Sequence, residues 1–201
     1  MTFAAIVVAG YLSGSIPWGY WLPLIFRGED VRKSGSGSIG GSNVWRQYGR
    51  WLGLPVILLD ALKGFAPAFV GVHVVGHLCG ILAGVAAMLG HVRPIFLRFE
   101  KGGKMVATGG GVLFAVCPWV ALTVSCIWIA TFVLTRYASV ASVVASLALP
   151  ACAFAFGYPP EVIGFATFTG VGVIFLHRAN LRRLRAGTES RFRSLRRATP
   201  V

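Results

Sequence analysis

Three polar segments of this sequence carry residue types that bind anions. The first, KSGSGSIGGSNVWR at 33–46, sets Gly35 and Gly37 among Ser34, Ser36 and Ser38 and ends on Arg46. Glycine permits positive φ, and successive N–H groups in such turns form a concave anion site to which serine hydroxyls add donors. A guanidinium can grip two phosphate oxygens at once, and Arg46 lies close to a predicted helix start, itself favourable for anions. The same composition also makes a solvated linker. The second segment, GHVRPIFLRFEKGGKMVAT at 90–108, holds Gly102 and Gly103 between Lys101 and Lys104 at the head of an apolar run. It lacks the Walker A spacing, and its lysines alone would serve as charges flanking a membrane. The third is His177-Arg178-Ala179-Asn180. His177 and Asn180 are three apart and share a helix face; an ordinary basic helix end reads the same way.

Further polar residues lie inside apolar stretches. Asp60 and Lys63 stand one helical turn apart in LLDALKGF, where charges within a bilayer are expensive and usually paired. Ser139, Ser142 and Ser146 make a small-residue stripe of the kind that packs helices. His73 and His77 have metal-like spacing but no third ligand, so no metal site is expected. Cys79, Cys117, Cys126 and Cys152 are scattered and read as apolar packing residues. Neither the H-x-x-x-x-D pair of common acyltransferases nor G-x-S-x-G occurs, which argues against a hydrolase-type nucleophile.

The elements that must hold these groups are membrane spans. Of 201 residues, 56% are hydrophobic and only 12% charged, against roughly 25% charged in soluble chains. Basic residues outnumber acidic ones by 19 to 6. No stretch is long enough to form a basic water-facing domain, so the excess points to cytoplasmic loops and not to nucleic acid. The N-terminus carries no basic region before Arg27, so the first apolar run is read as a permanent span and not a cleaved signal. Apolar stretches run at about 3–26, 51–72, 76–92, 105–135, 138–156 and 161–176. Basic groups lie at 27–50, at 93–104, at Arg136 and in a tail from 178 onward. The positive-inside rule places all of them in the cytoplasm. That parity requires two crossings within 105–135, with a turn at Cys117-Pro118, because proline disfavours helix in the residue before it. The expectation is an all-α polytopic protein: one domain over 1–201, seven transmembrane helices, N-terminus outside, C-terminus cytoplasmic. The segment 105–117 is then a short or half-inserted helix, and 178–201 is a basic tail that anchors to anionic membrane lipids.

Taken in order, these segments resemble the acyl-phosphate:glycerol-3-phosphate acyltransferases, the PlsY family of bacterial inner membranes. The likeness covers nearly the whole chain. GSIPWGY (14–20) is similar to the family's first-span signature, and GSGSIGGSNVWR (35–46) to GSGNxGATNxxR. LLDALKG (58–64) matches LLDxLKG; GHVRPIF (90–96) and KGGKMVAT (101–108) resemble GHxxPxF followed by KGGKGVAT; RYASVAS (136–142) and HRANLRRLRAGTE (177–189) match the rest. The resemblance implies seven spans and a site facing the cytoplasm. It implies transfer of a fatty acyl group from acyl phosphate to the 1-hydroxyl of glycerol 3-phosphate, releasing lysophosphatidate and inorganic phosphate, with no cofactor. By resemblance, Ser36, Arg46 and Lys104 hold phosphate, together with Gly102 and Gly103. Asn43, Gly35 and Gly37 shape the first loop, His177 and Asn180 hold the glycerol phosphate and its hydroxyl, and Ser142 lines the acyl-phosphate side. The substrate's own phosphate is the expected proton acceptor. Two departures stand out. Glu100 is an extra acid before the second glycine loop. Met105 replaces a glycine, and is strained if that position needs positive φ. A transporter of a phosphorylated solute, or a non-catalytic binder, would use similar loops; a transporter would need a more polar path through the spans than this sequence offers.

Overall fold

A computed structural model describes residues 1–192. The part of the basic tail at 193–201 lies outside the described residues. Every regular element in 1–192 is helical.

Proline and glycine cut the apolar runs into helices. The first run is α1 (Thr2–Ser15) and α2 (Trp18–Arg27). Between them Ile16 turns extended ahead of Pro17 (φ −64°, ψ 114°), as the residue before proline prefers. The short α3 (Gly41–Tyr48) leads into α4 (Arg50–Val74), and α5 (His77–Val92) returns. The run 105–135 divides where Cys117-Pro118 requires. It becomes α6 (Val106–Val116) and α7 (Pro118–Thr135), with Pro118 in the first turn of α7, where its missing N–H costs nothing. Arg136 then ends α7 in the left-handed region. It is followed by α8 (Ala138–Ala155) and α9 (Pro160–Leu176); α10 (Arg178–Arg185) departs from α9 at 50°.

Five helical segments are long and apolar enough to cross a membrane, six if α9 and α10 are one bent span. With 11 residues, α6 is about 16 Å long, roughly half a bilayer core. The outer surface is apolar: Leu58 (67%), Leu134 (80%) and Phe175 (62%) face outward, as lipid-facing residues do.

Helices α1, α4, α5 and α6 pack as one bundle, and α7, α8 and α9 as another. Within the first bundle, α1 lies so close to α5 that a Cβ on Gly10 or Gly14 would strike the backbone at Ala83 or Ala87. Between the bundles α9 approaches α5 and α6 only narrowly, and this leaves the cavity described below. The basic segments gather at one end of the molecule. There Arg32 meets Glu100, Lys104 meets Asn180, and the Phe192 N–H donates to Arg136 O at 3.0 Å. The charge-parity argument requires the same clustering. Asp60 and Lys63 form the expected one-turn pair at 2.7 Å, both buried, and Lys63 Nζ also donates to Ile16 O at 2.7 Å. The break before Pro17 thus leaves the Ile16 carbonyl, which also accepts from Trp18 N–H at 3.2 Å, outside the regular ladder of either helix.

Candidate active site

A cavity of about 360 Å³ opens between the two bundles at the basic end. Its polar end is lined by Ser36, Arg46, Lys104, His177 and Asn180, and its apolar arm by residues such as Leu113, Val124, Trp128, Leu149 and Val173. All four residues expected to be catalytic (Arg46, Lys104, His177 and Asn180) therefore border one space. So do Ser36, Asn43 and Ser142.

The serine loop is organised by one side chain. The Asn43 amide oxygen accepts from Ser36 N at 3.0 Å, and its NH₂ donates to Ser34 O at 3.2 Å and Ser38 O at 3.0 Å. Gly35 (φ 58°) and Gly37 (φ 66°) occupy the left-handed region the turn needs, so they shape the loop but do not line the cavity. Ser36 Oγ is buried and, among the described residues, without a hydrogen-bond partner, on the cavity wall. Gly40, Gly41 and Ser42, where α3 begins, also line the cavity.

Three backbone donors of the glycine loops are not free to form the cradle that their composition suggested. Gly37 N–H donates to Ser34 O, Gly102 N–H to Val92 O and Gly103 N–H to His91 O, so these donors are spent inside the fold. Gly102 and Gly103 are absent from the cavity wall. They are glycine because the loop lies directly on His91: a Cβ on Gly103 would strike the imidazole, and one on Gly102 the His91 carbonyl. The pair brings the loop down so that the next residue, Lys104, reaches the cavity.

Lys104 Nζ donates to Asn180 Oδ1 at 2.8 Å. Burial, with smaller contributions from Arg183 and Arg46, brings its ammonium down to about 8 against the attraction of Glu189. Arg46 is also pulled below its usual value by burial, but a guanidinium stays charged at any physiological pH. Its guanidinium carbon lies 5.3 Å from the centroid of the Phe192 ring. Among the described residues neither Arg46 nor Lys104 has a carboxylate within ion-pair distance. Two cations and a hydroxyl with no partner among the described residues thus face one partly buried space, an arrangement that suits an anion.

His177 lies just beyond the end of α9. Its Nδ1 is 2.8 Å from Val173 O, which places the proton on Nδ1 and leaves Nε2 as an acceptor. Burial, then the Lys104 charge, hold its imidazole down to about 4, so the ring is neutral at pH 7. Ser142 Oγ donates to Ala138 O at 2.7 Å and accepts from Trp128 Nε1 at 3.1 Å. It lines the cavity with its hydrogen bonds already made.

Sequence reasoning did not single out Glu189. This carboxylate accepts from Ser139 Oγ (2.8 Å), Asn180 Nδ2 (2.6 Å) and Arg183 Nε (2.8 Å). Burial raises its pKa most, but those three donors together outweigh burial and hold it below the usual glutamate value. It ties α8, α10 and the chain after α10 together behind Asn180, and so fixes the amide that Lys104 touches. Its signal was available: an acid beside a run of arginines in a chain with only six acidic residues has a charged partner at hand. Glu100, by contrast, stays outside the cavity. It is exposed and bonded to Arg32 Nη1 at 2.5 Å, so the added acid does not reach the cavity. Met105 does occupy positive φ, at 52°.

A family model described as glycerol-3-phosphate acyltransferase matches residues 4–187. A glycerol-3-phosphate acyltransferase of Aquifex aeolicus is 42% identical over 189 residues, covering 93% of this chain and 97% of that protein. One of Rhizobium meliloti is 46% identical over 187 residues, covering 93% and 91%. A crystal structure of PlsY (YgiH), described as an integral membrane glycerol 3-phosphate acyltransferase in its glycerol 3-phosphate form, superposes with a TM-score of 0.92. It is 41% identical over 97% of this chain and 98% of that one. The lysophosphatidic acid form gives 0.87 at 39% identity, covering 97% of each chain.

Proposed function

This chain belongs to the glycerol-3-phosphate acyltransferase family, and from that premise we propose that its donor is an acyl phosphate and its acceptor the sn-1 hydroxyl of glycerol 3-phosphate. The observation that carries this reading is the pair of uncompensated cations, Arg46 and Lys104, beside the unpartnered Ser36 hydroxyl at the mouth of an apolar arm. Both substrates carry phosphate, and one also carries a fatty chain. The relatives solved with glycerol 3-phosphate and with lysophosphatidic acid support the acceptor and the kind of product. In bilayer terms the reading has seven spans: the broken α1–α2, then α4, α5, the short α6, α7, α8 and α9. The N-terminus is outside, and the basic end with its site faces the cytoplasm of a bacterial inner membrane.

An acyl phosphate is already a mixed anhydride, so no protein nucleophile is required. The glycerol hydroxyl oxygen attacks the acyl carbon, the bond from that carbon to the phosphate oxygen breaks, and inorganic phosphate leaves. Lys104 and Arg46 hold phosphate and stabilise the charge that grows on the leaving oxygen, the kind of preorganised electrostatic contribution that dominates many active sites. Asn180 aims Lys104. Neutral His177 accepts a hydrogen bond from the attacking hydroxyl at Nε2 and orients it. The proton itself goes to substrate phosphate, whose second pKa of about 6 makes it a stronger base than an imidazole at about 4.

The test uses purified protein in lipidic mesophase with palmitoyl phosphate and glycerol 3-phosphate, following inorganic phosphate and lysophosphatidate together. Equal release of both, lowered about 10²- to 10³-fold in Lys104→Ala, is expected. Phosphate without lysophosphatidate would make the protein an acyl phosphatase. Neither product, with glycerol 3-phosphate still bound, would make it a binder.

A further inference from the structure

Met105 lines the cavity and has no part in the chemistry above. It follows Lys104 directly and precedes the first residue of α6, with φ at 52°, a region L residues with long side chains rarely enter. Its side chain is nevertheless 4% exposed and part of the apolar core. It crosses to α9, where its Cε lies so close to Gly172 that a Cβ there would collide with it. Because α6 and α9 otherwise approach each other narrowly, this thioether spans the seam between the bundles. Lys104 before it lines the polar end and Val106 after it also borders the cavity. Met105 therefore stands where the phosphate end passes into the acyl arm.

We propose that Met105 is a specificity-determining residue that sets the girth of the acyl group next to the reacting carbonyl, selecting unbranched chains over chains with a methyl at carbon 2 or 3. The inference rests on the acyl-phosphate reading. The α9 backbone behind the methionine tip leaves it no room to swing outward, and packed interiors yield poorly to an added methyl. A pocket of this kind separates substrates differing by one methylene about 10- to 200-fold. Length is set elsewhere: Leu149 of the arm lies 16 Å or so of helix beyond Ala138, far from the Lys104 end.

The experiment compares kcat/KM for hexadecanoyl, 2-methylhexadecanoyl and 3-methylhexadecanoyl phosphates, and for straight chains from dodecanoyl to octadecanoyl. The proteins are wild type, Met105→Ala, Met105→Gly and Gly172→Ala. The wild type is expected to favour the straight chain. Both Met105 variants should reduce that preference about fivefold or more while the length profile keeps its shape. Met105→Ala retains the backbone burden and loses only the reach, so its shift reports the side chain. Gly172→Ala drives the methionine tip into the cavity and should raise the preference. An unchanged branched-to-straight ratio in whichever variants fold overturns the inference, as does an equal shift in the length profile. If the wild type transfers no acyl group, the transferase reading fails on its own. Calorimetric binding of straight and 3-methyl-branched lysophosphatidates to wild type and Gly172→Ala then decides, and equal affinity ratios overturn the inference.

Discussion

The Lys104 ammonium donates to the Asn180 amide oxygen at 2.8 Å, joining the loop that opens α6 to the helix that follows α9. The Asn180 NH₂ is in turn held by Glu189 at 2.6 Å. The cation that faces the cavity is thus aimed by an amide that is itself fixed by a carboxylate.

Removing the cation should cost far more than weakening its aim. Lys104→Ala is expected to lower kcat/KM by about 10²- to 10³-fold, the range for losing one preorganised electrostatic donor. Asn180→Ala leaves Lys104 charged but unaimed and takes from Glu189 Oε1 one of its two donors, Ser139 Oγ remaining, a loss of about 1–3 kcal/mol. Steady-state kinetics on both variants, with thermal unfolding as a folding control, checks the order.

Activity should fall on the alkaline side through Lys104. Its free-enzyme pKa is about 8, so the ammonium is present below that pH and lost above it. Since kcat/KM reports the free enzyme, kcat/KM for glycerol 3-phosphate should decline with an apparent pKa near 8. Bound phosphate stabilises the ammonium, so the limb in kcat should lie higher. Lys104→Arg should move the limb out of the measurable range; a limb that stays near 8 in that variant belongs to another group.

His177 should make stability pH-dependent on the acidic side. Its pKa is about 4 when folded against about 6.5 when exposed. Between those values the unfolded chain binds more protons, so stability is fully present above pH 6.5 and drains away as pH falls towards 4. The slope contributed is at most about 1.4 kcal/mol per pH unit. Unfolding in detergent from pH 7 to pH 4 should show a shallower acid loss in His177→Gln than in the wild type. The same variant should retain transfer activity if phosphate takes the proton, and its kcat/KM profile should gain or lose no histidine-like limb.

Gly103→Ala tests whether the glycine pair serves packing or phosphate. The added methyl strikes the His91 imidazole and must lift the loop that carries Lys104. Overpacking of this kind costs about 1–3 kcal/mol, so a lower melting temperature should accompany a raised KM for glycerol 3-phosphate. A raised KM at unchanged melting temperature would instead mean that Gly103 contacts the substrate.

What could be read from the sequence was what depends on local chemistry or charge count. The turn at Cys117-Pro118 follows from a proline rule and a parity of charges, and α6 and α7 divide there. The Asp60–Lys63 pair follows from one-turn spacing and the cost of charge in lipid. The gathering of Arg46, Lys104, His177 and Asn180 was legible only because several motifs occur in one order, not from spacing. What escaped was decided by tertiary packing. Nothing local says that the N–H groups of Gly102 and Gly103 bond back to Val92 and His91, since composition cannot tell a cradle from a close approach. Nor does spacing reveal that Glu189 reaches Ser139 fifty positions away. The glycine that Met105 replaces raised the question of positive φ there, and the angle is 52°; nothing in the sequence pointed to its contact with Gly172.

The buried pair in α4 also bears on how the protein is made. A span carrying a lone aspartate or lysine at its centre enters a bilayer at a cost of about 2.5–3.5 kcal/mol per charge. Asp60 and Lys63, ion-paired at 2.7 Å one turn apart, allow α4 to leave the insertion machinery with that pair neutral overall. A second ammonium proton of Lys63 finds Ile16 O, in a segment synthesised earlier. The break between α1 and α2 is therefore a docking point laid down before the helix that uses it.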